Sequence, residues 1–282
     1  MYDHVIIIGS SQLACHCANT MGKSGLPIEI LDTNDEKSVF LESWCTREGF
    51  SSRHIEWGDL TKYLLGISKR TLLVSAFNLY LIPKEVLEKG WITAINCHHA
   101  ILPERPGRNG ATWAIYNQDK EAGITWHYIT PKADAGDILC VRKITLDNNL
   151  TALQLMRCQH GLACEGFDAI ADGLIEGSIE STPQDMSKKG KFRYSYDIPN
   201  NGFLDLDWDF SKMSAFLRSM DYGPLKVFGL LHLSHEGKVY EIGSYALLPA
   251  DGSRCSGIEK ENDGFVISTE HGCIRLGKVS VK

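Results

Sequence analysis

Two short runs, Val5-Ile6-Ile7-Ile8 and Thr71-Leu72-Leu73-Val74-Ser75, limit what this chain can fold into more than any other feature. Neither alternates apolar with polar, and both have strand length rather than helix length. A strand that is apolar on both faces needs cover on both, as in a parallel sheet with helices on either side. The first run passes through Gly9-Ser10-Ser11-Gln12-Leu13-Ala14 into a helix start and on to Ile28-Glu29-Ile30-Leu31, which ends at Asp32. That is the opening of a βαβ unit. Predicted helices over 40–47, 59–65 and 82–88, the last with Pro83 in its first turn, alternate with the strands and set the class as α/β. The turn after Ile8 lacks the GxGxxG pattern, which disfavours a dinucleotide with Asp32 on its ribose. The turn suits any doubly wound sheet, and its amides could instead hold an anionic group of a substrate.

At 282 residues the chain has room for one large domain or two smaller ones. Apolar residues at 43% and charged residues at 23% are globular values and exclude a disordered or collagen-like chain. A net charge of −6 with no long basic run disfavours nucleic acid as a partner. The nine cysteines form no framework and fit free thiols in a reducing compartment. Val5–Ile8 is too short for a membrane or signal segment and has no basic flank. The expectation is a soluble cytoplasmic protein without a membrane partner; assembly as a homodimer stays open.

Further along, Thr151 is placed to cap a long helix whose buried stripe would be Met156, Ala163, Phe167, Ile170 and Leu174. The polar stretch 178–201 reads as a linker. Beyond it, Ser211 is expected to cap a short helix carrying Met213, Phe216, Leu217 and Met220. Strand-like pieces follow at 230–235, 238–242, 244–248, 265–269 and 273–276. The expected organisation is an α/β domain over 1–180, a linker over 181–203 and a small β-rich domain over 204–282.

The chemistry concentrates between Trp91 and Cys140. Ile95-Asn96-Cys97-His98 reads as a strand that breaks at Leu102-Pro103. Alternation puts Asn96 and His98 on one face and Cys97 on the other, which rejects Cys97 as a nucleophile. Their strand ends where open α/β sheets form ligand crevices. Asp134, in the turn after the strand Ile124–Ile129, is the third member of a set suited to acyl transfer. A hydrogen-bonded structural cluster is the bland reading of the same residues. Cys15-His16-Cys17, Cys97-His98-His99 and the Cys158/His160 pair lack zinc-site spacing, so no metal is expected.

The stretch Leu73–Leu87, then Ile95-Asn96-Cys97-His98, Ala100-Ile101-Leu102-Pro103 and Gly107, resembles the core of the folate-dependent formyltransferases. So does Gly123-Ile124-Thr125-Trp126-His127 running into Ala133-Asp134-Ala135-Gly136. Leu204-Asp205-Leu206-Asp207-Trp208, Arg218 and Tyr222-Gly223-Pro224 are similar to the C-terminal domain of the longer members. The resemblance implies a Rossmann-like catalytic domain with a parallel-rich sheet, followed by a small OB-like β-rich domain. It implies 10-formyltetrahydrofolate as co-substrate and an amine, free or carrier-bound, as acceptor. Asn96, His98 and Asp134 would be catalytic, with Thr125 and His127 supporting them. Leu79, Tyr80, Leu81, Ile82, Thr130, Lys132 and Ala133 would hold the folate through their backbone. Ser10, Arg105, Arg108 and Asn109 would face the acceptor. The acceptor classes are a nucleotide-linked amino sugar, a modified amino acid or an aminoacyl group. The negative charge and the lack of a basic insertion after the first βαβ unit argue against methionyl-tRNA. Formylation of methionyl-tRNA, hydrolysis of the same donor and a non-catalytic folate-binding module are the alternatives.

Overall fold

A computed structural model describes residues 1–225, 227–250 and 257–282, which divide into two compact units. The first comprises 1–107, 123–144 and 157–192; the second comprises 108–122, 145–156 and 193–282.

The first unit is built on a seven-stranded sheet. Its strands are β1 (His4–Ile8), β2 (Ile28–Asp32), β3 (Ser51–His54), β4 (Thr71–Ser75), β5 (Ile92–His98), β6 (Glu121–Tyr128) and β7 (Ile138–Thr145), in the order β3-β2-β1-β4-β5-β6-β7. The strands from β3 to β5 are parallel, and β6 pairs antiparallel with β5. Helices α1 (Gln12–Gly22), α2 (Val39–Glu48), α3 (Trp57–Leu65) and α4 (Lys84–Leu87) connect the early strands. The fully buried runs are explained by cover on both faces. Val5 and Ile7 join one core with Leu72, Val74, α1, α2 and the long helix, whereas Ile6, Ile8 and Leu73 join another with α3 and α4. Gly9 closes the turn after β1 at φ +144, and a Cβ there would lie 2.4 Å from the Ala76 carbonyl oxygen. Only a residue without a side chain lets these two segments approach so closely.

Several local expectations are corrected. Pro83 lies at the N-cap, and its helix is only the four residues Lys84–Leu87. The long helix α6 (Ala152–Glu176) begins with a reciprocal cap: Gln154 N–H donates to Thr151 Oγ1 at 3.3 Å, and Thr151 N–H donates to Gln154 Oε1 at 2.9 Å. Ala163, Phe167, Ile170 and Leu174 are buried on this helix as expected, whereas Met156 is half-buried and Leu155 takes the inward position at the start of the stripe. The strand β3, polar at all four positions Ser51–His54, had no apolar run to reveal it, whereas β7 opens on the apolar run Ile138-Leu139-Cys140-Val141, a signal that sequence reasoning missed.

The second unit contains α5 (Gly110–Tyr116), α7 (Phe210–Ser219) and two four-stranded sheets. β8 (Phe203–Leu204), β9 (Leu231–His235), β10 (Lys238–Ile242) and β15 (Ser280–Val281) form one, ordered β15-β10-β9-β8. β11 (Ser244–Leu248), β12 (Gly257–Glu261), β13 (Gly264–Thr269) and β14 (Gly272–Gly277) form the other, ordered β11-β14-β13-β12. Met213, Phe216 and Leu217 of α7 fill a core with Leu233, Tyr240, Phe265 and Ile274. Asp209, not Ser211, caps α7, its carboxylate accepting the Lys212 N–H at 2.7 Å. An acceptor at the position before the first turn satisfies an orphan amide, and Ser211 lies two residues too late.

Trp126 is the largest fully buried side chain of the first unit. Its Nε1–H donates to the Ala163 carbonyl at 2.9 Å, and its ring meets Phe167 with centroids 5.1 Å apart. Trp126→Ala is expected to lower the free energy of unfolding by about 3–5 kcal/mol, read from urea denaturation.

Candidate active site

On the sheet face that carries Ile6, Leu73 and Ala94, the apolar character stops at the last residues of the strands. Positions 75 on β4, 96 and 98 on β5, and 125 and 127 on β6 share that face, and all are polar. Ser75 is the register partner of Asn96, which is in turn the partner of His127. The same alternation turns Cys97 into the opposite core, where burial and neighbouring thiols push its own thiol well up. It is inert there.

The structure brings Asn96, His98, Asp134, Thr125 and His127 together. The Asn96 Nδ2 lies 3.2 Å from His127 Nε2. His98 Nδ1 is 3.5 Å from Asp134 Oδ1, and its Nε2 is 2.8 Å from the Arg105 carbonyl oxygen. A carbonyl only accepts, so the His98 Nε2 carries a proton and Nδ1 is the atom that faces the carboxylate. Asp134 Oδ2 accepts the Gly107 N–H at 2.8 Å. The Asp134 backbone is left-handed, with φ 54. Few residues other than glycine tolerate that region, and Asp is among those that do. Gly136 is needed two residues on, since a Cβ there would stand 1.9 Å from the Tyr128 carbonyl oxygen.

Thr125 pins the loop after β5: its Oγ1 donates to the Ala100 carbonyl at 2.8 Å and accepts the Leu102 N–H at 3.1 Å. His127 Nδ1 lies 2.8 Å from the Tyr128 carbonyl oxygen. That nitrogen is therefore the protonated one, and Nε2 presents a lone pair to Asn96. Burial first, and then the neighbouring His98, push the His127 imidazole down to about 4, against the pull of the Tyr128 carbonyl and Asp134.

The residues expected to hold folate form two segments. Tyr80 and Ile82 are buried in the core that Ile129 also joins, whereas Leu79 and Leu81 between them are exposed. Lys132 and Ala133 are exposed, and the Thr130 hydroxyl donates to the Lys132 carbonyl at 2.8 Å. Among the residues expected to meet the acceptor, Ser10 follows β1 and Arg105 lies in the loop that receives the His98 ring. Arg108 and Asn109 belong to the second unit. There the Arg108 N–H donates to Arg193 at 2.8 Å, and Asn109, left-handed at φ 58, opens α5.

Sequence reasoning missed Gln184, Ser75 and Asn78. Gln184 lies within the polar stretch 178–201, yet its Nε2 donates to the Asp134 and Gly136 carbonyls at 3.0 and 2.7 Å. Ser75 gave one signal, a hydroxyl ending an apolar strand. Asn78 gave none. Among the described residues no group of three or more His, Cys, Asp or Glu is arranged to hold a metal ion, and no helix is long and apolar enough to cross a membrane.

Residues 35–168 match the family model described as formyl transferase, and the resemblance carried by the motifs is to that family. The GDP-perosamine N-formyltransferase of Brucella melitensis is 27% identical over 173 residues, 61% of this chain and 64% of its own length. The methionyl-tRNA formyltransferase of Clostridioides difficile is 24% identical over 200 residues, 70% of this chain and 62% of its own length. The matched stretch thus spans under two thirds of either relative. The crystal structure of an N-formyltransferase from Helicobacter canadensis, in complex with folinic acid and dTDP-3-aminofucose, superposes with a TM-score of 0.73. It is 15% identical, with 98% of this chain and 99% of that chain covered. The α/β architecture with extra C-terminal sheets is therefore that of formyltransferase structures.

His127 has an acid-stability signature. Its folded value near 4 lies below the 6.5 of a free imidazole, so the unfolded chain binds a proton between those limits that the native site does not. Stability from this residue is complete above pH 6.5 and is lost as the pH falls toward 4. His99, pushed down to about 3 by burial and by His98 and His160, acts in the same direction. Urea midpoints measured across this range should fall with pH, and His127→Gln should make the slope shallower.

Proposed function

We propose that this chain, matching the formyl transferase family over residues 35–168, moves the formyl group of 10-formyltetrahydrofolate onto the amine of a nucleotide-linked amino sugar. The observation that carries the reading is the convergence of Asn96, His98 and Asp134 on one face at the strand ends. Two similar proteins support the acceptor class: one is named a GDP-perosamine N-formyltransferase, and the other was solved with dTDP-3-aminofucose. The eight described cysteines are free thiols, in keeping with a cytoplasmic setting.

The chemistry follows from the geometry. The acceptor nitrogen attacks the formyl carbon, a C–N bond forms, and negative charge collects on the formyl oxygen. One Nδ2 proton of Asn96 is engaged by His127, and the other is available to that oxygen. The Asp134 carboxylate takes the proton the amine must lose. Its Oδ2 is steadied by Gly107 N–H and its Oδ1 faces His98, which lets the proton be held between carboxylate and imidazole. Collapse of the adduct breaks the bond to the folate N10, and the held proton goes to that nitrogen. A preorganised oxyanion donor is worth about 10²–10³ in rate.

Tetrahydrofolate release, followed optically against a panel of amines, tests the reading. Release that requires a nucleotide-linked amino sugar is the expected result. Release without any amine would reassign the protein as a hydrolase of the donor, and dependence on aminoacyl-tRNA would replace the acceptor. Asn96→Ala should lower kcat by about 10²–10³ while leaving folate binding nearly intact. Strong folate binding with turnover unaffected by Asn96→Ala would overturn the assignment.

A further inference from the structure

The Asn96 amide has two nearly isosteric faces, and only one placement leaves an N–H free for a substrate oxygen. The neighbouring hydrogen bonds set that placement. The Tyr80 N–H donates to Asn78 Oδ1 at 2.7 Å, which orients the Asn78 amide. Asn78 Nδ2 then donates to Ser75 Oγ at 2.6 Å, with the Ile8 carbonyl 3.5 Å from the same nitrogen. Ser75 has one proton, and with Asn78 occupying a lone pair it gives that proton to Asn96 Oδ1 at 2.7 Å. Asn96 Nδ2 faces His127 Nε2, and His127 Nδ1 faces the Tyr128 carbonyl.

The geometry points to Ser75 and Asn78 as positioning residues that lock the Asn96 amide through a one-way hydrogen-bond relay and keep its second Nδ2 proton free for the formyl oxygen. The direction is not a choice of the side chains. A backbone N–H, which can only donate, stands at one end, and a backbone C=O, which can only accept, stands at the other. Every donor between them points the same way, so each bond polarises the next. Ser75 is buried, which makes an unpaired hydroxyl or carbonyl in the relay costly. The turn that aims Asn78 back at Ser75 runs through Phe77, a bulky residue held left-handed at φ 56. Such residues rarely adopt that conformation, and it persists where the surroundings enforce it. Here the Phe77 ring packs on His99, with centroids 3.4 Å apart.

The role in catalysis rests on the formyl-transfer reading; the relay itself does not. Two full-length variants test it. Asn78→Asp is nearly isosteric and keeps an acceptor for the Tyr80 N–H, but it draws the Ser75 proton away from Asn96. Ser75→Ala deletes that proton without changing charge. Both should lower kcat about tenfold or more, with KM for 10-formyltetrahydrofolate within about twofold of the parent. ¹⁵N–¹H NMR of asparagine-labelled protein should show the Asn96 Nδ2 protons as one sharp pair of signals in the parent and as broadened, faster-exchanging signals in Ser75→Ala, where Asn96 Oδ1 has lost its donor. His127 stays the Nδ1–H tautomer in both, because the Tyr128 carbonyl is retained. Unchanged kcat in both variants, or KM rising with kcat unchanged, would remove the positioning role. Unaltered Asn96 amide signals in Ser75→Ala would remove the relay. If the parent transfers formyl to no amine, the functional reading fails while the amide measurement still decides the relay. If Asn78→Asp does not fold, Ser75→Ala supplies both readouts.

Discussion

The register of β5 between β4 and β6 is the constraint on which the site depends. Ser75, Asn96 and His127 stand opposite one another across three neighbouring strands, so their hydrogen bonds run perpendicular to the chain direction. A slip of one residue in β5 would exchange Asn96 and His98 for Ile95 and Cys97 and place apolar side chains beside Ser75 and His127. The apolar residues that fix this register are the ones that fill the two cores. Ile95 and Cys97 belong to one, and Ala94 belongs to the other. Packing on one face and chemistry on the other are therefore the same alternation seen from two sides.

Burial gives the two histidines of the site different work. His127 is deeply buried and points its protonated nitrogen at a backbone carbonyl, which leaves it neutral and an acceptor for Asn96. His98 instead donates to the Arg105 carbonyl and turns its other nitrogen to Asp134. One ring orients an amide and the other steadies a carboxylate. Neither task calls for a metal, because the donors and acceptors are completed by backbone groups and by each other.

The turn that carries Asp134 is held from several directions. Gly107 N–H binds its carboxylate, Gln184 binds its carbonyl, and Gly136 lets the chain pass close to Tyr128. A left-handed backbone at Asp134 is sustained by this surrounding set rather than by local preference. Gln184 shows that the polar stretch after α6 does more than span a distance, since its amide anchors the turn that carries Asp134.

The strands β1 and β4, the shared face of Asn96 and His98, the inert orientation of Cys97 and the β-rich character beyond residue 204 were legible in the sequence. Each follows from local periodicity, in which apolar runs mark two-sided burial and alternation marks a face. The motifs around Asn96, His98 and Asp134 carried the family resemblance. What remained hidden depended on partners distant along the chain. The polar strand β3 exists because the neighbouring β2 supplies its hydrogen bonds, and Asp209 caps α7 because of where that helix begins in space. The roles of Ser75, Asn78 and Gln184 arise only when the sheet brings residues 75, 96 and 127 abreast and folds residue 184 against residue 134. The sequence by itself determined the buried runs of β1 and β4 and the face that Asn96 and His98 share, because those are properties of short-range pattern. Only the tertiary structure decided which way each hydrogen bond points, because direction is set by backbone donors and acceptors many residues away.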